Sequence, residues 1–242
     1  MPDAGNEMFH GSTVLLTGVG ADGQVGQAVA QAFARAGASL VLVDRTATNV
    51  DARVGELTRD GHAAAGYACD LTDAAAVSSL AKQVRERHGD HVHGFVHMAG
   101  GFGMSGLVAE STDDVWNRQI AINLRTAYVA TREFLPMVRA ARGALVFFAS
   151  EAVLPGATGA RMSAYAIAKT GVVALMRAIA AEERPNGVRA NAIAPASIRT
   201  ASNVRDMGAG TKFVEREQVA DVVLYLCSPA ASAVSGVLLP VS

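Results

Sequence analysis

Tyr165 and Lys169 stand four residues apart in SAYAIAKTG (Ser163–Gly171), a spacing that puts two side chains on one face of a helix. A tyrosine hydroxyl ordinarily ionises near 10, too high for a base at neutral pH, and a neighbouring ammonium favours the phenolate. Such a pair could take a proton from an alcohol or return one to a forming alkoxide. The same spacing suits a tyrosine packed on a helix with a lysine stem beside it, so other residues must decide. The stretch TGVGADGQVG, Thr17–Gly26, offers a different chemistry. Glycines where an apolar run ends allow a tight turn, a close backbone approach to a pyrophosphate and close packing of helix on sheet. Gly18, Gly20 and Gly23, with Gln24 and Val25 leading into the next helix, are the candidate contacts. The loop lacks the GK[ST] ending of a nucleoside triphosphate site. Asp44 follows 18 residues after Gly26, near the spacing at which a carboxylate accepts hydrogen bonds from the adenosine ribose. Asp22 and Asp44 would repel a 2′-phosphate, whereas Arg45 could pair with one. Two acids against one base favour NAD over NADP.

The elements that must position these residues alternate along the chain. Apolar runs at Ser12–Thr17, Ser39–Asp44, Ala64–Cys69, Val92–Gly100, Gly143–Ser150, Val188–Ala194 and Val237–Pro240 predict strands. Between them, helices are predicted over Gln24–Ala36, Val50–Asp60, Asp73–His88, Asp113–Val138 and Tyr165–Glu183, with Pro136 disturbing the last turn of the fourth. Near-continuous apolar strands separated by helices mean a parallel sheet covered on both faces, an α/β fold in three layers, α/β/α. Seven strand candidates and a glycine loop after the first favour an open doubly wound sheet over a closed eight-stranded barrel. No linker marks a boundary, so residues 1–242 are expected to form one domain.

Composition narrows the function. Hydrophobic residues are 50% and charged residues 18%, which excludes a disordered chain. Only 5% are aromatic, a poor supply for stacking single-stranded bases. The 21 basic residues against 22 acidic ones leave no basic excess for nucleic acid. Cys69 and Cys227 could form at most one bridge, and a reduced compartment is the simpler expectation. The start, MPDAGNEMFHG, has acids where a secretory leader needs bases, and no uninterrupted apolar run reaches 18 residues. The expectation is a cytoplasmic protein with no membrane span, and no metal is called for.

Taken in order, these marks resemble the short-chain dehydrogenase/reductase family of the single-domain type, over Ser12 to Pro240. They are the glycine loop, Asp70 in CDLTD, Ala99-Gly100, Asn123 in INLRTAY, Ser150, YAIAK, and NGVRANAIAP leading to Thr200. The resemblance implies a Rossmann-like fold and gives Tyr165 the place of the catalytic acid/base. Lys169 takes that of its partner, which also holds the nicotinamide ribose. Ser150 matches the serine that hydrogen-bonds the reacting oxygen, and Asn123 the residue that positions a relay water. Asp70 and Leu71 are implied near the adenine, Ala99, Gly100 and Gly101 along the cofactor, and Pro195, Ile198 and Thr200 towards the nicotinamide end.

Departures from the family pattern are as informative. The glycine loop is two residues longer than usual, which leaves Gly20 and Gly23 as rivals for the middle role. The usual NNAG reads HMAG, so Met98 replaces an asparagine that ties strands and loops together. Fourteen residues separate Ser150 from Tyr165 where twelve are common, and Ser163 is the nearest rival hydroxyl. The segment 201–211 makes a short lid in which Arg205 could meet an anionic substrate, and Phe102, Met104, Leu154 and Met162 are candidates for an apolar pocket. Apolar residues on several faces of the later helices, among them Val172, Leu175, Met176 and Ile179, join the resemblance in implying a homo-oligomer, a tetramer before a dimer. The leading expectation is an NAD-linked oxidoreductase interconverting a small-molecule secondary alcohol and a ketone. An NADPH-dependent ketoreductase of 3-oxoacyl thioesters is its rival within the family, and a catalytically silent nucleotide-sensing protein is the rival of another class.

Overall fold

A computed structural model describes residues 8–208 and 210–242. Most of the acidic start read above and Ala209 of the lid lie outside that range. Seven parallel strands form one sheet: β1 (Thr13–Thr17), β2 (Ser39–Asp44), β3 (Ala64–Ala68), β4 (Gly94–His97), β5 (Ala144–Phe148), β6 (Arg189–Pro195) and β7 (Leu238–Val241). Their spatial order is β3-β2-β1-β4-β5-β6-β7. The order reverses between β1 and β4, which opens a crevice beyond their carboxyl ends. Side chains alternate across the sheet as a strand requires. Val14, Leu16, Leu40 and Leu42 face one layer, and Leu15, Val41 and Val43 face the other. The first layer holds α1 (Val25–Arg35), α2 (Ala47–Arg59) and, from the far end of the chain, α8 (Arg216–Cys227). The second holds α3 (Ala74–His88), which Asp73 caps by accepting from the amides of Ala75 and Ala76, with α5 (Thr126–Ala141) and α6 (Ser163–Glu182).

The long helix expected over Asp113–Val138 is divided. An α-helical piece, α4 (Asp113–Gln119), passes into a π-helical stretch, Ile120–Arg125, before α5 begins. The Thr126 amide bonds to the Ala121 carbonyl five residues back. Pro136 does not end α5, which continues to Ala141 and stops where Arg142 turns left-handed. A second correction concerns the oligomer face. Val172, Met176 and Ile179 are buried against the chain's own sheet and Leu175 packs partly on it, so they offer little to a partner. That burial also explains why α6, 20 residues long and apolar enough to span a bilayer by composition, is a core helix here. Cys69 and Cys227 lie in the two opposite core layers and are unbridged.

One buried polar tie joins the layers at the crevice. His97, at the end of β4, bonds the Thr17 hydroxyl of β1 through Nδ1 at 2.9 Å and the Thr126 hydroxyl of α5 through Nε2 at 3.3 Å. It thereby ties β4 to β1 and to α5, which the Met98 side chain cannot do. Burial, and secondarily Lys169, push its pKa down to about 3. An unfolded histidine titrates near 6.5, so between 6.5 and about 3 the unfolded chain binds a proton that the folded one refuses. Stability should therefore fall as pH drops through that window, by up to about 1.4 kcal/mol per pH unit. Replacing the ring by a non-titrating amide, His97→Gln, should flatten the acid-side slope of thermal unfolding followed by circular dichroism. An unchanged slope would count against a neutral, buried His97.

Candidate active site

The crevice is a cleft of about 490 Å³ at the carboxyl ends of β1 to β4. From β1 it takes Gly18, Gly20, Gln24 and Val25; from β2, Asp44 and Arg45; from β3, Asp70 and Leu71; from β4, Ala99 and Gly100. A larger cavity, about 960 Å³, opens near Ser12, His93 and Arg189 at the opposite end of the sheet; neither lining includes Tyr165, Lys169, Ser150 or Asn123, but the smaller cleft ends at Gly100, which abuts Asn123 and Lys169. Doubly wound sheets bind ligands beyond the carboxyl ends of their strands, so the smaller cleft is the candidate.

The glycine loop fits a dinucleotide by the space it leaves. A Cβ on Gly18 would stand 2.5 Å from the Ala99 nitrogen, so β1 and β4 converge only because that side chain is missing. A Cβ on Gly26 would stand 2.4 Å from the Val19 carbonyl, so the start of α1 packs closely on the loop that leaves β1, as expected of a last glycine. Gly20 borders the cleft, and its amide donates to the Asp44 carboxylate at 2.9 Å. Gly23 does not line the cleft. Its carbonyl accepts from the Ala201 amide at 3.1 Å, and the neighbouring Gln24 bonds Ser202 at 3.2 Å. The two extra residues thus carry the loop out to the lid helix α7 (Ala201–Met207). Thr200 caps that helix, Ile198 pairs with Val214, and Pro195 ends β6, all outside the cleft lining. Arg205 is paired with its neighbour Asp206 at 2.9 Å.

Beyond Gly100 the catalytic candidates converge. Lys169 on α6 is buried and donates to the Phe148 carbonyl of β5 at 2.8 Å. Its nitrogen lies 5.9 Å from the Tyr165 ring centre. A Cβ on Gly100 would stand 2.5 Å from the Asn123 carbonyl oxygen and 3.3 Å from Lys169 Nζ, so the end of the cleft meets both residues. Asn123 lies in the π-helical stretch, 1% exposed. Its amide accepts from the Gly101 nitrogen at 3.1 Å and donates to the Gly101 carbonyl at 3.0 Å, clasping the loop after β4. It also donates to the Gln119 carbonyl at 3.1 Å, a partner that the altered helix register leaves within reach. Ser150 follows β5; its hydroxyl accepts from the Ala152 amide at 3.2 Å and lies near enough to Tyr165 to draw the phenol's pKa down. Ser163 instead faces Ser105 at 3.2 Å. Of the two serines Ser150 is thus the one beside Tyr165, and a short turn, Glu151–Val153, follows it.

The family profile described as Enoyl-(Acyl carrier protein) reductase matches residues 18–242. The chain belongs to the short-chain dehydrogenase/reductase family. It is 31% identical over 248 residues to a galactitol 2-dehydrogenase (L-tagatose-forming) of Cereibacter sphaeroides, covering 96% of this chain and 94% of the relative. A meso-2,3-butanediol dehydrogenase of Serratia marcescens is similar to the same degree, 31% over 248 residues with the same coverage. A solved short-chain dehydrogenase/reductase from Mycobacterium ulcerans superposes with a TM-score of 0.87 at 29% identity, over 96% of this chain and 89% of that one. This short-chain dehydrogenase/reductase is an NAD(P)-dependent oxidoreductase.

Electrostatics correct two sequence expectations. Asp22 does not enter the cleft lining; it pairs with Arg53 of α2 at 2.8 Å. Arg118, which belongs to no motif although it lies five residues before Asn123, does line the cleft, as do Asn49 and Met98. Two acids against one base is therefore not the balance of this cleft. The Tyr165 hydroxyl is the second correction. Burial raises its pKa; the neighbouring Ser150 hydroxyl opposes this and Glu151 adds to it. Lys169 is not among the causes, and it is itself pushed down to about 8 by burial.

That buried ammonium has a measurable cost. Its folded pKa, about 8, lies below the 10.5 of an ordinary lysine, so charging it disfavours the fold fully below pH 8. The penalty fades as pH rises from 8 to 10.5, where the unfolded chain also loses its proton. Lys169→Met should raise the melting temperature at pH 7 by several degrees, with the gain shrinking towards pH 10. A variant melting lower at pH 7 would contradict the penalty.

Proposed function

We propose that this enzyme interconverts a small-molecule secondary alcohol and a ketone, with NAD(H) in preference to NADP(H). The observation that carries the reaction is the Tyr165 hydroxyl, set with Ser150 and buried Lys169 beyond Gly100, where the glycine-lined cleft ends. Relatives named for galactitol and meso-2,3-butanediol support an alcohol substrate. A bound nicotinamide dinucleotide supplies or takes the hydride. Ser150 and Tyr165 would hold the reacting oxygen by hydrogen bonds, and the Tyr165 hydroxyl would donate its proton as a ketone is reduced. Its raised pKa keeps it protonated at neutral pH, which suits that direction. One Lys169 N–H is engaged by Phe148, and the others would hold the nicotinamide ribose. Phe102, 62% exposed, stands in a T-shaped pair with Tyr165, ring centres 5.2 Å apart, and would form one apolar wall of the substrate site.

The cofactor preference rests on Asp44. Its carboxylate borders the cleft, fixed by the amides of Gly20 and Thr46 at 2.9 and 3.0 Å and by Asn49 at 3.3 Å. A negative charge so held would accept from ribose hydroxyls and repel a 2′-phosphate. The assembled Tyr165, Ser150 and Lys169 speak against a silent sensor. A homo-oligomer is supported by the exposed Tyr128 and Ile167 on α5 and α6, 49% and 48% exposed.

Tyr165→Phe keeps the ring and removes the proton. It should cut kcat by about 10² or more while leaving NADH affinity within a few-fold. In the wild type, alcohol oxidation should keep rising into the alkaline range, following the raised tyrosine pKa, and that rise should vanish in the variant. Retention of more than about half the activity would remove Tyr165 from the chemistry. Fluorescence titration should find NADH bound at least about tenfold tighter than NADPH, a gap of about 1.4 kcal/mol, narrowed in Asp44→Ala. Equal or reversed affinities would favour the NADPH-dependent ketoreductase.

A further inference from the structure

We propose that Arg53 is a positioning residue that orders the lengthened glycine loop from outside the cleft and so sets dinucleotide affinity; this rests on the dinucleotide reading above. Arg53 is 0% exposed, and its guanidinium is shared between two elements. Nη2 holds Asp22, inside the glycine loop, at 2.8 Å, and Nη1 pairs with Glu56 one turn along α2. Glu56 also receives the side-chain amides of Gln27, at 3.3 Å, and Gln31, both on α1. Gln27 returns to the loop, its Oε1 accepting from the Gly23 amide at 2.9 Å. The chain of contacts therefore closes on itself: loop, α2, α1, loop. Arg53 Nε is buried without a partner, a cost that the rest of the guanidinium's contacts must outweigh.

The loop needs such a clamp. Gly18, Gly20 and Gly23 all sit at positive φ, 74°, 67° and 75°, where glycine has most freedom to lose. An unclamped loop would populate its binding geometry only part of the time, and apparent affinity falls in proportion to that fraction. Glycine spacing alone secures a short loop between strand and helix; two added residues place Asp22 beyond that support. The ion pair at Asp22 restores it. Because Asp22 is consumed in this way, it takes no part in choosing between NAD and NADP, which leaves the choice to Asp44.

The test compares wild type, Arg53→Met, Arg53→Lys and Asp22→Asn. Asp22 has a side chain 81% exposed, so its amide variant removes the pair without opening the core. NADH affinity is measured by fluorescence, kcat and KM by steady-state kinetics with saturating alcohol, and loop amide hydrogen exchange by mass spectrometry on ligand-free protein. Expected results are an NADH Kd about tenfold higher in Arg53→Met, several-fold higher in Asp22→Asn, and intermediate in Arg53→Lys. The same variants should exchange faster at residues 20–23 and keep kcat at saturating NAD⁺ within about twofold. Variants that melt lower but bind NADH as tightly as wild type would make Arg53 merely structural and overturn the inference. If Arg53→Met does not fold, Asp22→Asn decides: an unchanged Kd and exchange rate overturn it, a raised pair supports it. Wild type that binds no dinucleotide would instead sink the functional reading, and this inference with it.

Discussion

Two strand ends that run side by side before their connections part in opposite directions are the constraint on which this molecule depends. Strand order reverses between β1 and β4, and their carboxyl ends meet so closely that Gly18 has no room for a Cβ against Ala99. The loops that follow must diverge, and the space between them is the cleft. Everything chemical is hung on this point. Asp44 reaches it from β2, Asp70 from β3, and the Lys169 and Tyr165 pair from α6 by way of β5.

Holding that gap open requires polar ties inside an apolar interior. His97 joins β1, β4 and α5; Asn123 clasps Gly101 from the π-helical stretch; Lys169 leans on Phe148. Each tie buries a group that prefers water, and the depressed pKa values of His97 and Lys169, about 3 and about 8, record it. Low local polarity is also what lets a few hydrogen bonds orient a reacting oxygen effectively. Stability is given up around the site whose chemistry needs it.

The structure also divides labour among like residues. Of the loop glycines, Gly20 borders the cleft while Gly23 serves the lid, and of the two candidate serines Ser150 lies by Tyr165 while Ser163 bonds Ser105. Of the acids near the loop, Asp44 faces the cleft and Asp22 faces Arg53. Residue type is shared within each set; position in the packed molecule separates the members.

The seven strands, the α/β class, the Tyr165–Lys169 spacing, the glycine loop and the carboxylate at the end of β2 were legible in the amino-acid sequence. Those signals are local: apolar runs, turn residues, and spacings of three or four positions act within one element, whatever surrounds it. Packing between elements decided the rest. The π-helical register under Asn123, the burial that lowers Lys169, and the partners of Ser163 and Asp22 depend on contacts between distant segments. Gln24 and Ser202, which join loop to lid, are 178 residues apart, and Arg53 reaches Asp22 across 31. No local pattern encodes such pairs, because the free energy that selects them comes from burying side chains of several elements together. Only the closed tertiary structure brings those elements within hydrogen-bonding distance.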